Sequence, residues 1–240
     1  MPTEKIVPGD RGRTDEEGAV FDRTRRNFCW SPLIAATTAR AQEETSVVPS
    51  DRAIARLIQG NGRYAQNKQQ HPDESLELRN ELEQSQHPFA VVLSCSDSRV
   101  PPELIFDQGL GDLFVIRVAG NIAADDELGS IEYAVEHLHT KLVVVLGQEK
   151  CGAITAAVHH EEAGHLKSLI NAIQPSVEET RTLPGDKIHN CVIANARPAA
   201  RQIRESEQVL RKLIQREGVR VEAADYALSS GVVTLLDDAH

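Results

Sequence analysis

Two short apolar runs, each closed by a turn that carries a cysteine, constrain this chain more than anything else in it. Phe89 to Ser94 leads straight into Cys95-Ser96-Asp97-Ser98-Arg99, and Leu142 to Leu146 into Gly147-Gln148-Glu149-Lys150-Cys151-Gly152. Short runs rich in Val and Leu, without polar alternation, read as strands buried on both faces. Between them lie a third such run, Leu113 to Val118, and a stretch from Glu127 to Leu138 whose apolar positions include Leu128, Ile131, Tyr133, Ala134 and Leu138, a helical spacing. Strand, helix, strand in that order predicts parallel pairing through right-handed crossovers. The carboxyl ends of parallel strands share one edge, where such folds hold their ligands. Both cysteines are therefore expected on the same rim.

The rest of the chain divides at about residue 48. Residues 1–48 are polar and charged at first, then rich in Ala and Thr, with no sustained period, and read as a leader. Within it Thr24-Arg25-Arg26-Asn27-Phe28 resembles a twin-arginine export signal. The weakly apolar stretch Cys29 to Thr38 follows, and then Ala39-Arg40-Ala41, which has a small-x-small cleavage form. Export to a periplasm or equivalent compartment is the expectation, and residence in the cytoplasm the alternative. Residues 49–240 read as one globular domain. Ser50 is a plausible N-cap for a helix with Ile54, Leu57 and Ile58 on one face, ending near Gly60, and Leu76 to Leu82 forms a second helical piece. Lys187 to Arg216 has mostly helical spacing through Val192, Ile203, Leu210, Leu213 and Ile214. Pro198 is expected to kink or divide it, because proline lacks an N–H and clashes with the preceding turn. Gly218 stops it, and Val219 to Tyr226 and Gly231 to Leu236 form a closing antiparallel pair joined by a Ser-Ser-Gly turn.

A net charge of −10 without a clustered basic face argues against nucleic acid as a partner. No run of about 18 apolar residues is present to cross a membrane as an ordinary helix. The four cysteines, Cys29, Cys95, Cys151 and Cys191, are too few and scattered for a disulfide framework. A small-molecule substrate is the expectation that remains.

The two cysteine motifs resemble those of the β-class carbonic anhydrases, C-x-D-x-R followed by H-x-x-C, and the likeness covers roughly Ser50 to Leu236. It implies an α/β fold with a mostly parallel central sheet flanked by helices and an antiparallel C-terminal strand. It also implies zinc on Cys95 and Cys151, a water acidified to a pKa near 7, and reversible hydration of CO2 to bicarbonate. By the same resemblance Asp97 ligates the metal or turns to pair with Arg99, gating and orienting the nucleophile. Gln86 positions bicarbonate, Phe114 and Tyr133 line an apolar CO2 pocket from across a dimer interface, and Gly152 lets backbone approach the site. Homodimers or larger homo-oligomers follow.

The chain departs from the pattern at one ligand, because Gln148 stands where the family has histidine. A neutral amide oxygen is a poorer donor to borderline-soft zinc than an imidazole nitrogen. Three outcomes are open. Zinc is held by Cys95, Cys151 and Asp97 with Gln148 or water; or a histidine among His137, His139, His159 and His160 substitutes; or the metal is absent and the two thiols face each other, able to form a disulfide in an oxidising compartment. The activity expected with zinc bound is CO2 hydration, or, by pocket shape, hydrolysis of a linear analogue such as COS or CS2; with the metal absent it is a non-catalytic binding or scaffold role.

Overall fold

The computed structural model describes residues 47–161, 164–206 and 209–237. The twin-arginine stretch, Cys29 and nearly all of the expected leader lie outside the described residues. Five strands, β1 (Ala90–Ser94), β2 (Leu113–Arg117), β3 (Leu142–Gln148), β4 (Arg220–Tyr226) and β5 (Val233–Leu236), form one sheet in the order β2-β1-β3-β4-β5. All neighbours are parallel except β4 and β5, which are antiparallel. Eight helices accompany them among the described residues: α1 (Ser50–Ala65), α2 (Leu76–Glu81), α3 (Pro102–Ile105), α4 (Asp125–His137), α5 (Gly152–Val158), α6 (Leu166–Thr180), α7 (Lys187–Glu205) and α8 (Val209–Glu217). None is long and apolar enough to cross a membrane.

The central strands β1 and β3 are buried along their whole length, which is why they read as unbroken apolar runs. Successive side chains point to opposite faces. Val91, Leu93, Val143 and Val145 meet Ile131, Ala134, Ala200, Ile203 and Leu210 on one side. Ala90, Val92, Val144 and Leu146 meet Ala53, Leu57, Ile105 and Phe106 on the other. Close approach on this second face explains Gly60, since a Cβ there would lie 1.8 Å from the Phe106 carbonyl oxygen. The first helix thus runs on through Gly60 to Ala65, past its expected end. Asn61 ties that helix to the last strand, donating to the Gly231 carbonyl (2.8 Å) and accepting from the Val233 N–H (2.8 Å).

Two further expectations are corrected. Pro198 does not divide α7, which continues through it to Glu205 and ends at Ser206. Proline at this position deprives the carbonyl of Ala194, four residues earlier, of its helical donor. The Ser176 hydroxyl of α6 donates to that carbonyl instead, at 2.9 Å. The second strand extends two residues beyond its expected end, so Gln148 is the last residue of β3 rather than part of the following loop. The stretch between Gly152 and Thr180, for which no element was expected, supplies α5 and α6.

From β1 the chain crosses to β2 on one side of the sheet, and from β3 it crosses to β4 on the other. The two connections diverge and leave a crevice between the carboxyl ends of β1 and β3, the place where open α/β sheets bind ligands. Cys95 follows β1 and Cys151 follows β3 by a short turn, so the two flank this crevice.

Candidate metal centre

Cys95 Sγ and Cys151 Sγ lie 3.8 Å apart, both buried and both free thiols, so the alternative of a formed disulfide does not describe this structure. The pair shares a proton. Cys151 keeps it, its thiol pushed far above the usual range first by the hydrogen bond to Cys95 and then by burial. Cys95 is held down to about 5, first by that hydrogen bond acting against burial, and then by the Gly120 N–H, which donates to Cys95 Sγ at 3.3 Å. Gly120 has φ of +79° and a Cβ there would sit 2.7 Å from Ile173 Cδ1, so glycine suits the close turn that aims this N–H. Asn195, buried on α7, fixes the same turn by donating to the Gly120 carbonyl at 2.8 Å.

Asp97 is turned to Arg99. The Arg99 side chain donates through Nε to Oδ1 (2.9 Å) and through Nη2 to Oδ2 (2.7 Å), and its backbone N–H donates to Oδ1 at 3.0 Å. This bidentate pairing is the main reason the Asp97 carboxyl is lowered to about 2. Arg99 is itself anchored on the Lys150 carbonyl at 3.1 Å, which links the two cysteine turns. Arg117, the last residue of β2, braces the first of them by donating to the carbonyls of Cys95 (3.1 Å) and Asp97 (2.6 Å). Arg117, Gly120 and Asn195 were not among the residues expected at the site. Of these only Gly120 carries a local signal, a glycine just past a strand end.

Gln148 is fully buried beside these groups. Its amide helps hold both Cys95 and Asp97 below their ordinary values, yet neither Oε1 nor Nε2 completes a hydrogen bond. An orphaned buried amide costs about 1–3 kcal/mol per unsatisfied group.

Among the described residues no three Cys, His, Asp or Glu side chains converge to hold a metal. Asp97 is therefore not a third donor beside the thiols in this arrangement, and the histidine substitution fails for all four candidates. His159 and His160 are exposed beyond α5. His137 stacks on Tyr133 at 5.1 Å between ring centroids, and His137 and His139 line a separate hollow. The geometry nonetheless fits zinc. Two sulfurs at about 2.3 Å from a tetrahedral zinc lie about 3.8 Å apart, the separation observed, and the Gln148 oxygen is a neutral acceptor without a partner.

The expected substrate residues do not join the thiols within one chain. Gln86 and Tyr133 meet His137 and His139 around a hollow of about 460 Å³ whose lining includes neither cysteine. Phe114, on the edge strand β2, packs on Tyr133 with ring centroids 6.2 Å apart. Gly152 is exposed, with open space where a Cβ would point, so no steric need for glycine arises within this chain.

The site is thus a pair of buried thiols in the switch-point crevice of a mostly parallel α/β sheet, with an arginine-clamped aspartate beside them. A family model described as carbonic anhydrase matches residues 90–233. Carbonic anhydrase 2 of Mycobacterium tuberculosis is 44% identical over 126 residues, 50% of this chain and 61% of that protein. The carbonic anhydrase of Pseudomonas aeruginosa is 30% identical over 186 residues, 68% of this chain and 80% of that protein. The β-carbonic anhydrase CafA of Aspergillus fumigatus superposes with a TM-score of 0.64 at 29% identity, covering 79% of this chain and 91% of the other. The chain belongs to the β-carbonic anhydrase family. Its matched region spans about 61% of the length of the first curated relatives.

Proposed function

We propose that this protein catalyses the reversible hydration of CO2 to bicarbonate with zinc held by Cys95, Cys151 and Gln148. The observation that carries the reading is the orphaned Gln148 amide, fully buried beside two thiols at the spacing of a zinc site. When bound, zinc supplies the acidity that makes a water nucleophilic near neutral pH. Asp97, held ionised by Arg99, accepts a hydrogen bond from the attacking water and fixes its orientation. The low pKa suits Asp97 to accept that bond without retaining the proton. Arg99 is anchored on the Lys150 carbonyl, and the carboxylate cannot swing in as a ligand without breaking its three hydrogen bonds from Arg99, two from the side chain and one from the backbone N–H.

Gln86, Phe114 and Tyr133 complete the substrate pocket from a second copy in this reading, which makes the catalytic unit a homodimer or a larger assembly. Solved relatives include two tetrameric β-carbonic anhydrases from Sordaria macrospora. Hydrolysis of COS or CS2 needs the same nucleophile and differs only in the fit of a longer linear substrate. We also propose export through the twin-arginine stretch, for which fractionation of cells expressing the full chain is the check.

The test is elemental analysis of protein purified without added metal, together with stopped-flow CO2 hydration and parallel assays with COS and CS2. Stoichiometric zinc with CO2 turnover in the unaltered chain supports the reading. Zinc and turnover that appear only in a Gln148→His variant would overturn it in favour of a non-catalytic role.

A further inference from the structure

A cleft of about 480 Å³ opens between α6 and α7, remote from the thiol pair in its lining residues. Its wall carries Arg197 and Arg201, one helical turn apart on α7 and so on the same face. Neither makes a hydrogen bond or ion pair among the described residues, and Arg197 Nε is buried without a partner. What sets Arg197 apart is that its Nε is out of water as well as unpartnered. Arg204, which also lines the cleft, closes on the Val221 carbonyl, as Arg63 does on Asp107 and Arg56 on Asp112. A guanidinium N–H taken out of water without an acceptor is costly, so an acceptor from outside the chain is the natural partner.

The rest of the cleft narrows what that partner is. Ile193 and Pro198 supply apolar surface, and 480 Å³ is the size of a small-molecule pocket rather than of a bare inorganic ion. Glu179 also lines it, with no ion pair to either arginine among the described residues. A ligand that satisfies all three presents an oxyanion to the arginine forks and an N–H or O–H donor to the glutamate.

We infer that this cleft is a second binding site, for a small organic oxyanion, a phosphate ester or a carboxylate, whose body also carries an ammonium or hydroxyl group. Arginine recognises either oxyanion through paired N–H donors.

Isothermal titration calorimetry on the full chain, with phosphoethanolamine, β-alanine and inorganic phosphate as separate probes, tests it. Saturable binding of phosphoethanolamine or β-alanine is expected, the tighter of the two identifying the oxyanion, with inorganic phosphate weaker than both. Arg197→Gln and Arg201→Gln should each weaken the preferred probe about tenfold, and Arg197→Lys should restore part of the loss. Zinc content should be the same in all three variants, and their melting temperatures without probe no lower than that of the parent, since the charge removed had no partner. No saturable binding of either organic probe up to about 10 mM, or equal affinity in parent and Gln variants, would overturn the inference.

Discussion

Replacing Gln148 with leucine should move two properties in opposite directions. In the metal-free protein both amide atoms of Gln148 are buried and unsatisfied. An apolar side chain of similar size removes that penalty, about 1–3 kcal/mol for each group, at the cost of slight overpacking. Net stabilisation of about 1–3 kcal/mol is expected, which raises the melting temperature by about 2–10 °C for a domain of this size. Zinc affinity should fall. If zinc relieves the orphaned oxygen in the parent, leucine forfeits at least that relief, and about 1–3 kcal/mol converts to roughly 5- to 150-fold weaker binding. The assay is a pair of thermal melts on chelator-stripped protein and a competition titration of zinc against a chelator of known affinity. A variant that is less stable without metal yet binds zinc as tightly as the parent would refute both the idea that the amide is orphaned and the idea that it is a donor.

Arg99→Ala should make the protein more sensitive to acid. The folded Asp97 carboxyl is lowered to about 2, chiefly by Arg99, so its contribution is complete above the ordinary value of 3.8 and is lost as pH falls from there through about 2. Without Arg99 that contribution disappears, and the midpoint of acid unfolding followed by circular dichroism shifts to higher pH, with stability near pH 7 also reduced. Ser176→Ala should cost about 1–3 kcal/mol by leaving the Ala194 carbonyl unpaired. Most of that cost should vanish in a Pro198→Ala background, where residue 198 regains an N–H for the same carbonyl. Urea denaturation of the single and double variants measures the coupling, and additive costs would reject the substitution of a side-chain donor for a backbone one.

How far the sequence was legible depended on the range of the interactions involved. The strands β1 and β3 were readable because burial on both faces writes itself as an unbroken apolar run, and the half-buried edge strand β2 because its run is apolar as well. The closing pair was readable from its turn residues, with β5 antiparallel to β4 as expected. The helix α6 was not assigned, although Leu166, Leu169, Ile170, Ile173 and Val177 carry its spacing and Pro175 lies inside it. Pro198 read as a break because the local rule sees a lost donor and cannot see Ser176 supplying another from a neighbouring helix. The same limit applied at the site. Cys95, Asp97, Arg99, Gln148 and Cys151 were found from two local motifs. Arg117 and Asn195, which hold the loops from positions 22 and 75 residues away, left no local pattern.

Glutamine at the position where the family motif has histidine is, on the proposed reading, more conservative electrostatically than chemically. Both side chains are neutral donors, so two thiolates and a zinc ion sum to zero charge with either one. A carboxylate in that position would add a negative charge beside Asp97, raise its pKa and weaken the clamp by Arg99. Glutamine leaves that arrangement intact, and Asp97 stays paired through both oxygens. What changes is donor strength, and with it the occupancy of the site at a given free zinc concentration. The Asp97–Arg99 pair beside the two thiols is intact in this structure. If the protein hydrates CO2 with zinc on Gln148 as proposed, its activity should follow free zinc over a range where a histidine-bearing site would already be saturated.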